Sequence, residues 1–170
     1  MIKIQLLQNT DWVNLSEMMF QLTLHYDNLA GKLQPMTQQV VDSRYIVKAK
    51  QLISAKQVWG YFQNNKICGY ISIDFFDEHH LKLPSSVFLS ELFVQEECRK
   101  RGVGRSLVRH VCSLQFPSNY KYFSVTHSPL EPGLTQFYKS LGFKVYKVLK
   151  SGNIALIKPL HADLENFPTN

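Results

Sequence analysis

Ser90-Glu91-Leu92-Phe93-Val94-Gln95-Glu96-Glu97-Cys98-Arg99-Lys100-Arg101-Gly102-Val103-Gly104-Arg105-Ser106 is the stretch from which the fold is read. It continues an apolar run, Val87 to Val94, that reads as a buried strand, and Pro84 with two serines breaks the chain ahead of it. From Gly104 onward Leu107, Val108, Val111 and Leu114 share one face while Arg105, Arg109, His110 and Ser113 share another. That spacing predicts an amphipathic helix ending near Pro117. Strand and helix are joined by a basic turn, Arg99 to Arg105, containing Gly102 and Gly104. Glycine lets a main chain take positive φ and approach a ligand closely. The unpaired amides of a first helical turn, reinforced by the helix dipole, then form a site for phosphate or pyrophosphate. Two familiar phosphate turns do not fit. The dinucleotide fingerprint needs a third glycine where Leu107 stands, and the Walker turn needs Gly-Lys-Ser/Thr where the chain has Gly104-Arg105-Ser106.

Outward from this segment, Ile2, Ile4 and Leu6 alternate with polar neighbours and predict a first strand. A helix is expected from about Asp11, with Thr10 as N-cap and Trp12, Leu15, Met18, Met19 and Leu22 at helical spacing. A second runs from about Thr37 to Ala49, with Val40, Val41, Ile46 and Val47 loosely periodic. Gln57–Gln63 and Lys66–Phe76, rich in β-branched and aromatic residues and separated by Asn64-Asn65, read as a hairpin. Tyr122–Thr126 is a further strand. Pro132 opens a helix with Leu134, Phe137, Tyr138 and Leu141 as its stripe and Gly142 as its stop. Phe143–Leu149 and Asn153–Lys158 flank Ser151-Gly152 as a last pair of strands. The order β-α-α-β-β-β-α-β-α-β-β implies an α/β (α+β) mixed sheet with helices on its faces.

The 170 residues, 45% hydrophobic and 19% charged, predict one domain over 1–162 and a short polar tail over 163–170. Three cysteines at unrelated spacings argue against a disulfide scaffold. With no apolar run of about 18 residues, a soluble, cytoplasmic protein without a membrane partner is expected. The net charge of +6 favours an anionic ligand.

The pattern Arg99-x-x-Gly102-x-Gly104, preceded by Glu91-Leu92-Phe93-Val94 and followed by Phe137-Tyr138-Lys139-Ser140-Leu141-Gly142-Phe143, resembles the GNAT superfamily of N-acetyltransferases. The resemblance covers residues 57–158; the first 50 match only in outline. It implies a mixed, mostly antiparallel sheet, splayed between the fourth and fifth strands, with helices on both faces. It also implies acetyl-coenzyme A as acyl donor, no metal, and a homodimer as an allowed assembly. By this likeness Leu92, Phe93 and Val94 would bond the pantetheine arm and hold the thioester carbonyl. Arg99, Lys100, Arg101, Gly102, Val103, Gly104, Arg105 and Ser106 would wrap the pyrophosphate. Tyr138 would contact the cofactor and protonate the departing thiolate, its alternative being a core aromatic beside Phe137.

Acetyl transfer to a primary amine requires that the amine, protonated at pH 7, lose a proton. Glu91 is the first candidate base, directly or through water, against an ion pair with a nearby Arg or Lys. Asp74, Asp77 and Glu78 are alternatives. Glu131 stands where the family often has an asparagine. His127 could contact acceptor or cofactor, or be a hydrogen-bonded bystander. His79-His80 with Asp77 and Glu78 read as a solvated loop rather than a metal site, and Cys98 as a free thiol rather than a nucleophile. Tyr120, Tyr122 and Phe123 beside Lys121 fall on a predicted buried strand, against nucleic-acid stacking. The expected activity is direct acetyl transfer to a small amine, in outline like the polyamine and diamine acetyltransferases. A non-catalytic acyl-coenzyme A sensor, or acetylation of protein or peptide amino groups, is the alternative.

Overall fold

The computed structural model describes residues 1–32, 38–76 and 85–160, with the side chains of 38–42 left aside. Its elements follow the expected order: β1 (Ile2–Leu6), α1 (Trp12–Leu29), α2 (Gln38–Ser54), β2 (Val58–Gln63), β3 (Lys66–Phe76), β4 (Ser86–Val94), α3 (Val103–Cys112), β5 (Tyr122–His127), α4 (Pro132–Lys139), β6 (Lys144–Val148) and β7 (Ile154–Pro159). Short 3-10 turns at Asn9–Asp11 and Glu96–Cys98 lead into α1 and towards α3. The seven strands run β1-β2-β3-β4-β5-β7-β6. β4 and β5 are parallel, and β1/β2, β2/β3, β5/β7 and β6/β7 are antiparallel. The β4–β5 ladder covers only Ser86–Phe88 against Tyr122–Ser124, so the sheet splays beyond it. No helix among the described residues is long and apolar enough to cross a membrane.

The chain forms two compact units, one of Met1–Ser72 with Glu91–Leu107, the other of the described parts of Ile73–Ser90 and Val108–Asn170. In the first, α1 buries Leu15, Met18, Met19 and Leu22, and α2 buries Tyr45, Ala49, Leu52 and Ile53, all in one cluster with Val58, Phe62, Ile67, Tyr70 and Phe93. The α2 stripe corrects the sequence reading. Val47 is exposed and the helix runs on to Ser54, because the packed face starts at Tyr45 and recurs four, seven and eight residues later. Val40 and Val41 lie among the undescribed side chains. In the second unit Phe123, Phe143, Leu156 and Ile157 are fully buried.

Turn chemistry accounts for the hairpins. Asn64 and Asn65 have φ of 50° and 63°, the paired left-handed conformation that a two-residue turn matching strand twist requires. Thr10 does not cap α1. The chain enters through the 3-10 turn, where the Gln8 amide donates to Asp11 Oδ2 at 2.7 Å and the Asp11 amide to the Gln8 carbonyl at 2.8 Å. The helix at α3 ends at Cys112 rather than near Pro117. There the Ser113 amide bonds back to Arg109 and His110, and its hydroxyl donates to the His110 carbonyl.

Leu15→Ala removes a side chain with no solvent exposure. It is expected to lower unfolding free energy by about 2–5 kcal/mol in a denaturant titration. A loss well under that range would show that this cluster does not carry the first unit's stability.

Candidate active site

β4 ends at Val94, where it lies unusually close to β3. A Cβ on Gly69 would fall 2.5 Å from the Phe93 carbonyl oxygen and 3.2 Å from the Val94 Cα. The neighbouring strands therefore approach here more closely than any side chain permits. One residue on, the Gln95 amide donates to the Cys68 carbonyl at 2.9 Å. The Cys98 and Arg99 amides then bond to Gln95 and Glu96 in the 3-10 turn. Lys100 and Gly102 follow with φ of 60° and 81°, and Val103 starts α3. Lys100 occupies a conformation rare for a residue with a Cβ.

The first α3 hydrogen bond is the Ser106 amide on the Gly102 carbonyl at 2.9 Å, so the amides of Val103, Gly104 and Arg105 precede the helical ladder. Arg99, Lys100, Arg101 and Gly102 are exposed around them, Gly104, Arg105 and Ser106 are half-buried, and Val103 is the buried plug. Arg99 is anchored: its Nε donates to the Val94 carbonyl at 3.0 Å and its guanidinium lies 6.0 Å from the Phe93 ring centroid. These leading amides, two left-handed residues and surrounding cations suit a phosphate-bearing ligand.

Glu91 sits one residue before Leu92, with its side chain 18% exposed. Lys48 Nζ reaches its Oε1 at 2.6 Å, and the Tyr70 hydroxyl donates to Oε2 at 3.1 Å. The ion pair that the sequence left open is therefore made, with a lysine from α2. Burial, with the Glu91 carboxylate beside it, holds the Tyr70 hydroxyl well above the usual tyrosine range, so it stays a donor. Lys66 and Glu97 pair at 2.9 Å on the surface, which raises Lys66 and lowers Glu97 from their ordinary values.

Tyr138 belongs to the second unit. It is the buried member of the Phe137-Tyr138 pair, 4% exposed, while Phe137 is half-buried. Its ring lies 5.0 Å from Phe137, 5.5 Å from Phe143 and 6.5 Å from His127, stacked on the last. His127 is buried with both nitrogens engaged. Its Nδ1 donates to the Ser128 carbonyl at 2.8 Å, leaving Nε2 to accept the Thr135 hydroxyl at 2.9 Å when the ring is neutral. Glu131 is the N-cap residue of α4, with Pro132 next to it.

Of the alternative carboxylates, Asp74 accepts the Ser90 hydroxyl; Asp77 and Glu78, with His79 and His80, lie outside the described residues. Among the described residues no group of three or more His, Cys, Asp or Glu is arranged to hold a metal. Cys68, Cys98 and Cys112 are free thiols. Burial pushes Cys68 and Cys112 up to about 11, and Cys68 is raised further by its contact with the buried Cys98. Tyr122 and Phe123 are buried in β5 and offer no stacking face. The sequence reading missed Gly69, Lys48 and Tyr70. A glycine inside a strand is itself a signal of close backbone approach, but nothing local joins Lys48 to Glu91.

Residues 54–145 match the family model described as an acetyltransferase (GNAT) domain. A search of curated proteins finds no match. Among solved structures, the chain is similar to PaiA N-acetyltransferase from Thermoplasma acidophilum in complex with coenzyme A, with 14% identity, a TM-score of 0.66, and 94% of this chain and 99% of that one covered. An N-acetyltransferase from Staphylococcus aureus Mu50 gives 12% identity and a TM-score of 0.73 over 91% and 99%. A GNAT-family acetyltransferase from the same organism gives 18% and 0.69 over 95% and 100%.

Gly69→Ala forces a Cβ onto backbone that cannot swing aside. Expected are a loss on the order of 1–3 kcal/mol in a denaturant melt and shifted amide resonances at Phe93, Val94 and Gln95. Unmoved resonances would mean that the two strands do not approach this closely at Gly69.

Proposed function

The chain belongs to the acetyltransferase (GNAT) family, and from that premise we propose that it moves an acetyl group from acetyl-coenzyme A directly to a small primary amine. The observation that carries the reading is the turn at Lys100 and Gly102, whose two left-handed residues open onto the leading amides of α3 among exposed Arg99, Lys100 and Arg101. In this reading Arg99 to Ser106 hold the pyrophosphate. The main chain of Leu92, Phe93 and Val94 holds the pantetheine arm as an added strand would, and its amides take the charge that builds on the acyl oxygen. The coenzyme supplies the acetyl thioester. Coenzyme A bound to the Thermoplasma acidophilum relative supports the choice of donor.

Direct transfer is favoured over a covalent acyl-enzyme by the state of the thiols. Cys68 and Cys112, with pKa values near 11, carry almost no thiolate at neutral pH, and Cys98 is buried. Glu91 is the proposed base for the incoming ammonium, with Tyr70 fixing the orientation of its carboxylate. Tyr138, its ring confined by His127, Phe137 and Phe143, is the proposed proton donor to the departing sulfur. The small-amine acceptor rests on the likeness to the polyamine and diamine acetyltransferases.

Calorimetry with acetyl-coenzyme A, followed by thiol release over a panel of primary amines, tests the reading. Arg99→Glu and Gly102→Val are expected to raise the dissociation constant strongly. Tyr138→Phe is expected to leave binding nearly intact and slow turnover by about 100-fold or more, the range of positioned proton transfer. Equal effects of all three on binding would remove the assigned roles. Tight binding with no amine acetylated would identify a sensor instead.

A further inference from the structure

We propose that Lys48 is an acyl acceptor built into the chain, so that the protein acetylates itself at this residue; the inference rests on the acetyl-thioester reading above. Lys48 is held where it is by its helix. Tyr45 and Ala49, on either side of it in α2, are buried in the same cluster as Tyr70 and Phe93. From that anchored turn its side chain, 49% exposed, places a primary amine 2.6 Å from the carboxylate of Glu91, itself only 18% exposed. Tyr70 occupies the other carboxylate oxygen. A surface pair looks different: Lys66 and Glu97 are 2.9 Å apart with side chains 64% and 59% exposed.

Glu91 immediately precedes Leu92 on β4, and consecutive strand residues are about 3.3 Å apart. The Lys48 amine is therefore paired with the proposed base, on the side chain of the residue next to the segment proposed to hold the acyl group. This is the arrangement an external amine would need to reach. In the self-directed step the Lys48 ammonium gives a proton to Glu91, and its freed lone pair forms a C–N bond to the thioester carbonyl carbon. The C–S bond breaks, and the second nitrogen proton leaves as the amide forms. The coenzyme A thiolate takes up one proton, from Tyr138 in the reading above, which regains it from solvent. Glu91 returns its own proton to solvent, so that one proton is released overall. The product, a neutral acetyl-lysine, no longer forms an ion pair with Glu91, which keeps the Tyr70 hydroxyl.

The test incubates the full chain with acetyl-coenzyme A and no added amine. Acetyl occupancy at each lysine is followed by peptide mass mapping, and cofactor binding by calorimetry on the same material. Lys48 is expected to be modified about 100-fold faster than Lys66, the lower end of what a positioned base supplies. Glu91→Gln should erase that excess and leave Lys66 unchanged. Lys48→Arg, which keeps the cation, should abolish the mark with binding intact. Binding without preferential modification of Lys48 overturns this inference alone; no binding at all overturns the reading beneath it as well.

Discussion

A contact between two backbones constrains everything built around β4. At Gly69 the neighbouring strand brings the Phe93 carbonyl to a distance that any Cβ would block. β3 and β4 can come this close only because that space is empty, and the chain must then pass from β4 to α3 within a few residues. It does so through the 3-10 turn at Glu96–Cys98, the left-handed residues Lys100 and Gly102, and the bond from Arg99 Nε to the Val94 carbonyl. The last bond ties the far side of the turn to the strand it leaves. A cation that could have pointed only at solvent instead sets the shape of the loop, and α3 starts with its leading amides among the basic side chains.

The second organising feature is electrostatic. Glu91 holds an ammonium on one oxygen and a hydroxyl on the other, at the edge of a cluster that is otherwise apolar. A half-sheltered carboxylate without such partners would carry the full cost of lost hydration. The two partners differ in kind. Tyr70 is fully buried and its hydroxyl is kept neutral, so it fixes geometry. Lys48 stands on a half-exposed side chain with four rotatable bonds, so its amine can leave or react. The same carboxylate thus combines one buried, neutral contact with one half-exposed, charged contact.

Much of this was legible residue by residue. The Asn64-Asn65 turn, the glycine turn before α3, the stripes of α1 and α4, and the order of elements all depend on interactions within a few positions, and each leaves a local trace in the sequence. Where the reading slipped, the deciding contact was one that hydrophobic spacing does not show, local in one case and remote in the other. The start of α1 follows from a bond between Gln8 and Asp11 rather than from Thr10. The buried face of α2 follows from what packs against Tyr45 and Ala49 rather than from its valines.

By itself the sequence determined the strand from Val87, the basic turn and the start of the helix after it, though not that the helix stops at Cys112, because positive φ, leading amides and hydrophobic period are properties of neighbouring residues. Only the tertiary structure decided that the Glu91 carboxylate meets Lys48, a residue 43 positions away, and Tyr70. It alone decided too that Gly69 of β3 lies where the Phe93 carbonyl of β4 leaves no room for a Cβ. Contacts across such distances arise from the packing of whole elements, and no local pattern encodes which two residues will touch.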